Sequence, residues 1–242
     1  MHNSLYKTIR SESMKLKRSP VWLAFFLLPV ISALFGTFNY INNQGVLTNE
    51  WYSLWSQHTL FLCYLFMPAL IGIYCSYLWR LEHTGNNWNH FLTAPVSLFS
   101  LYMGKLFQAV LMSIAGNVWV FLLYYLCGRL TGLPGLPPGN AAEWLLCGTL
   151  GSIVICCMQL MLSMAIRSFA IPIGIGLAGS TAGLMMTSLG WGLYYPYSIY
   201  CMGMRANNPK LELNMPVFIA GCLAYIVLFS VLSVIFLYRH EQ

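Results

Sequence analysis

Six stretches of this chain are apolar for about 20 residues or more, the length a helix needs to cross the roughly 30 Å hydrocarbon layer of a bilayer. They lie at 21–40, 58–79, 98–127, 144–166, 170–190 and 216–238. No other feature constrains the fold as strongly. Inside lipid every backbone N–H and C=O must be satisfied within the protein, and a run of this length does so as an α-helix. The fold class is therefore all-α integral membrane. The chain reads as one transmembrane domain over 1–242, with six transmembrane helices and an N-terminal interfacial helix. Pro29 and Pro68 fall inside two of the runs. Each is expected to kink its helix, which neighbouring groups can tolerate in lipid.

Charge supports this reading. Only 7% of residues are charged and 58% are hydrophobic, whereas soluble domains carry about 25% charged residues. All six acids are Glu, at positions 12, 50, 82, 143, 212 and 241, and there is no Asp. The net charge of +6 does not indicate nucleic acid, because the basic residues sit at the ends of the apolar runs. With a cytoplasmic N-terminus, Lys7, Arg10, Lys15, Lys17, Arg18, Arg80, Lys105, Arg167 and Arg239 are inside. Only Arg129, Arg205 and Lys210 are outside. Six spans return the C-terminus to the cytoplasm. The first apolar run follows a polar, basic segment and lacks a signal-peptidase-like end, so it is expected to remain as an anchor.

Three segments have their own organisation. Residues 4–18 read as an interfacial helix on which Leu5, Ile9 and Leu16 share a stripe and the Lys and Arg side chains reach headgroups. Within the 1–19 segment, Glu12, Lys15, Lys17 and Arg18 are the candidate interfacial residues. Ser19 and Pro20 are expected to cap and start the next helix. In the loop at 80–97, Trp88, Phe91, Leu92 and Pro95 recur at helical spacing. That stripe needs a membrane surface or another protein to cover it. The extracellular segment at 191–214 carries Trp191, Tyr194, Tyr195, Tyr197 and Tyr200. Amphipathic aromatics at that density make a headgroup-level belt or re-entrant turn, or a contact surface for an amphipathic substrate. The fifth run holds Gly179 and Gly183 as a G-x-x-x-G pair, which lets another helix approach closely, either within the chain or between subunits.

The residues for enzyme chemistry are missing. No phosphate-binding loop G-x-x-x-x-G-K-[ST] is present, and the Asp that would hold Mg²⁺ in such an ATPase is lacking. No H-E-x-x-H or G-x-S-x-G occurs. The eight Cys residues form no C-x-x-C pair and read as small apolar fillers, so neither a metal site nor a disulfide is signalled. Ionisable groups are absent from the span centres, where ion-coupled carriers usually place them. Energy for transport would have to come from a partner.

Two cytoplasmic motifs carry a resemblance. Glu12-Ser13-Met14-Lys15-Leu16-Lys17-Arg18-Ser19 matches the pattern E-x-x-K-x-K-R-S. Further on come Glu82, Gly85 and Trp88, then Phe91-Leu92-Thr93-Ala94-Pro95-Val96-Ser97 and Tyr102-Met103-Gly104-Lys105. Together these resemble ABC-2-type permeases, in particular the lantibiotic-immunity and bacitracin-resistance branch. The resemblance implies an ABC-2, type V exporter-like permease fold in a bacterial plasma membrane. It implies cytosolic ABC ATPase subunits, which would hold ATP and Mg, while this chain binds no cofactor. It implies a second permease, identical or paralogous, and a lantibiotic or similar amphipathic peptide as cargo. On that footing 1–19 is a connecting helix, and Glu82, Gly85, Trp88, Phe91 and Leu92 couple the permease to its ATPase. The alternatives are an ABC-2 exporter of a lipid, polysaccharide or drug, or, from another class, an intramembrane enzyme or sensor.

Overall fold

The computed structural model describes residues 2–84, 97–210 and 212–240. Among them there are helices and turns and no strand. The first helix, α1 (His2–Lys17), is amphipathic and precedes the first span. The spans are α2 (Val21–Asn42), the pair α3 (Glu50–Phe61) and α4 (Met67–His83), α5 (Leu98–Leu130), α6 (Ala141–Ala165), α7 (Ala170–Ser188) and α9 (Met215–His240). Among the described residues six helical stretches are long and apolar enough to cross a membrane, one of them being the continuous stretch Glu50–Arg80. An even number of crossings leaves both described ends on one face, here called basal; the other face is apical.

Glu50–Arg80 is the most enclosed span and Met215–Arg239 the least. Its 31 residues rise about 46 Å at 1.5 Å each, well beyond the bilayer core. The hydropathy pattern had placed its start at His58. The first two turns are polar enough to dilute hydropathy, yet Trp51, Ser53, Leu54 and Trp55 are buried against protein. The indole of Trp55 donates to the carbonyl of Met204 at 2.9 Å, and that of Trp51 to Pro134 at 2.7 Å. The helix reaches α5 closely because position 128 is Gly: a Cβ there would lie 2.2 Å from the Trp51 ring.

The kink expected at Pro68 is a turn of π-helix over Leu62–Phe66. Proline has no N–H, so Pro68 cannot bond the carbonyl of Tyr64 four residues back. In this wider turn Met67 donates to Leu62 rather than to Cys63. Both released carbonyls find side chains from neighbouring helices. Ser180 of α7 donates to Tyr64 at 2.7 Å, and the Cys201 thiol lies 3.6 Å from the Cys63 carbonyl. Pro29 by contrast sits inside α2 without interrupting it. At the start of α2 the cap is one residue later than expected: Pro20 occupies the N-cap position, and the buried Ser19 hydroxyl makes no hydrogen bond.

After α7 the chain makes a 3-10 turn (Gly192–Tyr194) and the eight-residue helix α8 (Pro196–Gly203). This helix is too short to span and packs chiefly on α6. Glycines permit the approach. A Cβ at Gly151 would meet Tyr200 backbone at 2.7 Å, and one at Gly203 would meet the Cys147 carbonyl at 2.6 Å. All eight cysteines are free, and most are buried among apolar side chains.

Candidate coupling centre at the basal face

Charges that would be costly alone are gathered where α1, α4 and α5 meet. Helix α1 turns Thr8, Glu12 and Leu16 inward, at intervals of four residues on one face. It lies close on α5 because Gly104 is opposite Thr8; a Cβ at Gly104 would sit 2.7 Å from the Thr8 methyl carbon. Gln108 of α5 donates to the Ile9 carbonyl at 3.1 Å, and the Trp22 indole donates to the Leu16 carbonyl at 2.9 Å. These contacts lock the helix lengthwise. They bring Glu12 over Lys105, which stands two turns into α5.

Lys105 is fully buried, with 0% of its side chain exposed, and its three N–H groups have three acceptors. They are Glu12 Oε2 at 3.0 Å, Glu82 Oε1 at 2.7 Å and the Leu78 carbonyl at 2.5 Å. The ammonium also lies 4.7 Å from the centre of the Trp79 ring. Lys15 closes the cluster, 2.5 Å from Glu12 Oε1 and 2.8 Å from Glu82 Oε1. Two carboxylates and two ammoniums balance, so the cluster is neutral as a whole. The second Glu82 oxygen is buried and has no hydrogen-bond partner among the described residues.

Burial alone would push the Glu82 carboxyl up, but Lys105 and Lys15 outweigh it and hold it below the ordinary carboxylate value. Burial likewise would lower Lys15, and the Glu82 and Glu12 carboxylates outweigh that and raise it. Both groups are thereby held charged. Removing one partner of such a pair strands a charge in a poorly solvated place, at a cost of about 3–5 kcal/mol.

The structure redraws the roles expected of several residues. Glu12 and Lys15 face the bundle, not lipid headgroups, because the buried carboxylate and Lys105 need each other. Lys17 and Arg18 are exposed. Glu82, expected to be presented to a partner, is 2% exposed. It can act on a partner only through the end of α4. Gly85, Trp88, Phe91 and Leu92 lie outside the described residues. The sequence marks Lys105 only as a charge on the cytoplasmic side; the structure makes it the centre of this cluster. The clue was its place two turns inside an apolar run, where an ammonium must find a carboxylate.

The apical aromatics divide in two. Trp191 and Tyr194 are 61% and 63% exposed. With Met186, Leu189 and Tyr195 they line an open recess of about 320 Å³. Tyr197 and Tyr200 are buried and cannot face a substrate. Gln159 donates to the Tyr197 hydroxyl at 3.1 Å, and Tyr200 donates to Asn117 at 3.0 Å. Half-buried Tyr195 donates to the Gly179 carbonyl at 3.0 Å. Gly179 and Gly183 face α8 of the same chain, under the Tyr197 ring and the Ser198 backbone. A second ion pair stands at the apical face, where buried Arg205 meets Glu143 at 2.7 Å.

Among the described residues no three His, Cys or Glu side chains gather as a metal site would require. The arrangement is a helical membrane bundle with a four-residue ion cluster at its basal end and a further ion pair at its apical end. The sequence profile described as "ABC-2 family transporter protein" matches residues 8–183. That is more than half of the chain, and the chain belongs to this family. It is the membrane-embedded permease of an ABC transporter, a class that works with an ATPase partner. A search of the curated proteins found no match.

Proposed function

We propose that this permease expels a lantibiotic or similar amphipathic antimicrobial peptide, with its basal face in the bacterial cytoplasm. The observation that carries the coupling part is the buried cluster of Glu12, Lys15, Glu82 and Lys105. It fastens α1 and α5 to the last turn of α4, and α4 leads directly into the 85–96 segment. A cytosolic ATPase pressing on Trp88, Phe91 and Leu92 would move α4, and the cluster would carry that displacement into α1 and α5. ATP and Mg belong to that partner.

Two observations favour an amphipathic cargo. Trp191 and Tyr194 stand exposed beside an open apical recess. The motifs at 12–19 and 82–105 resemble the peptide-immunity branch. A second permease copy, identical or paralogous, would complete the path. The same recess suits another amphipathic cargo such as a lipid or drug, which is the second reading. Deleting this chain while leaving the ATPase intact is expected to sensitise cells to one or more peptides of a lantibiotic panel. Unchanged sensitivity across the panel would refute the peptide cargo. For coupling, Trp88→Ala with Phe91→Ala should weaken co-purification of an ATPase. An intact, fully active complex would refute docking at this segment.

A further inference from the structure

A second basal feature lies apart from the ion cluster, where the ends of α4 and α6 meet the start of α7. A cavity of about 290 Å³ opens there, lined among others by Arg80, His83, Ser163, Ile166, Arg167 and Phe169. This is near the lower end of the size range of small-ligand sites. Both arginines are exposed, and among the described residues neither makes an ion pair. Among the described residues no acidic side chain lines the cavity. The carboxylate nearest in sequence, Glu82, turns away to Lys105 and Lys15. Residues 85–96, which follow α4, contain no Asp or Glu. Among the described residues, two guanidinium groups thus stand at one cavity without a carboxylate to neutralise them.

The frame around them is ordered. His83 Nε2 lies 2.8 Å from the Ser163 carbonyl, so it must be the protonated nitrogen there, and it ties α4 to α6. The Arg80 guanidinium sits 5.8 Å from the centre of the Phe169 ring, which orients it toward α7. Arg80 ends one apolar span, and Arg167 follows another by two residues. Both therefore lie at the level of lipid headgroups. Ile166 and Phe169 give the same cavity an apolar wall at the start of α7, which is among the least enclosed spans. Guanidinium forks match phosphate oxygens in charge and geometry. Basic pockets between transmembrane helices are recognised lipid-headgroup sites.

We propose that this cavity binds the phosphate group of a membrane phospholipid, held by Arg80 and Arg167. A lipid seated there would brace α4 against α7 next to the point where α4 enters the 85–96 segment. The shared chemistry is phosphate, and a soluble anion is the other possible source. The apolar wall and the headgroup level favour the lipid.

The test uses the full-length protein, purified in detergent and titrated with phosphatidylglycerol under native mass spectrometry. Wild type is expected to retain the lipid. Arg80→Gln with Arg167→Gln should lose roughly thirtyfold in affinity, the strength of two basic residues near a headgroup. Arg80→Lys with Arg167→Lys should keep much of the binding, and Arg129→Gln, on the apical face, all of it. Unaltered elution and thermal midpoint of the glutamine variant would show that it is folded. Millimolar inorganic phosphate should not displace the lipid. Equal lipid retention by the glutamine variant would overturn the proposal. So would displacement by inorganic phosphate, which would assign the cavity to a soluble anion.

Discussion

Lys105 and Glu82, 23 residues apart in sequence, meet at 2.7 Å with almost no exposure of either side chain. Their helices, α5 and α4, are the two that flank the 85–96 segment. The ion pair therefore bridges the two ends of that segment from inside the protein. Lys105→Ala removes the cation that touches Glu12, Glu82 and the Leu78 carbonyl together. It should destabilise the protein by about 3–5 kcal/mol, read as a lowered midpoint of unfolding in mixed micelles. Glu82→Gln in the Lys105→Ala background should cost less than Glu82→Gln alone, because the stranded charge is then absent.

The same cluster dictates a pH profile. Glu82 is held below its ordinary value of 4.5, so its contribution is present above that value and is lost as pH falls through the lowered folded one. Lys15 is held above its ordinary 10.5, so its contribution is present below that value and is lost as pH rises through the raised one. Thermal midpoints measured in detergent between about pH 3 and pH 11 should form a broad plateau with an acid and an alkaline limb. Glu82→Gln should flatten the acid limb, and Lys15→Met the alkaline one. A wild-type acid limb left intact by Glu82→Gln would show that other groups set it.

How much of this was legible beforehand differs from element to element. The six spans follow from hydropathy alone, because lipid admits no other backbone arrangement for such runs. The π-helical turn was legible only as a kink at Pro68, since the choice of π geometry depends on Ser180 and Cys201 arriving from elsewhere. The ion cluster was not legible as a unit. Glu12, Lys15, Glu82 and Lys105 come from three helices, and each alone reads as an interface charge. The aromatic segment was read by composition as one surface. Burial instead follows position along the chain: Trp191 and Tyr194, before α8, are exposed, whereas within α8 the run Tyr197, Ser198, Ile199, Tyr200 and Cys201 is buried on every side. The expected coupling residues Gly85, Trp88, Phe91 and Leu92 fall outside the described residues.

Close approach through glycine can be tested at position 128. The Trp51 ring occupies the space of the missing Cβ and is itself buried and bonded to Pro134. Gly128→Ala should therefore cost about 1–3 kcal/mol as overpacking, despite the better helix propensity of alanine. Gly45→Ala, where nothing lies within 4 Å, serves as the control and should leave the unfolding midpoint unchanged.

The proline turn offers a coupled test. Ser180→Ala removes the donor that satisfies the Tyr64 carbonyl, and no backbone N–H of Pro68 can replace it. The cost should be about 1 kcal/mol, in the range of interhelical hydrogen bonds in membranes. Pro68→Ala supplies a backbone N–H four residues beyond Tyr64, so the helix can satisfy that carbonyl itself. In the Pro68→Ala background, Ser180→Ala should cost less, and the double-mutant cycle should return a coupling energy of the same order as the single loss. Additive costs would mean that the Ser180 hydroxyl and the proline act independently. The π-helical turn would then be held by the packing of α7 and α8 rather than by the missing N–H.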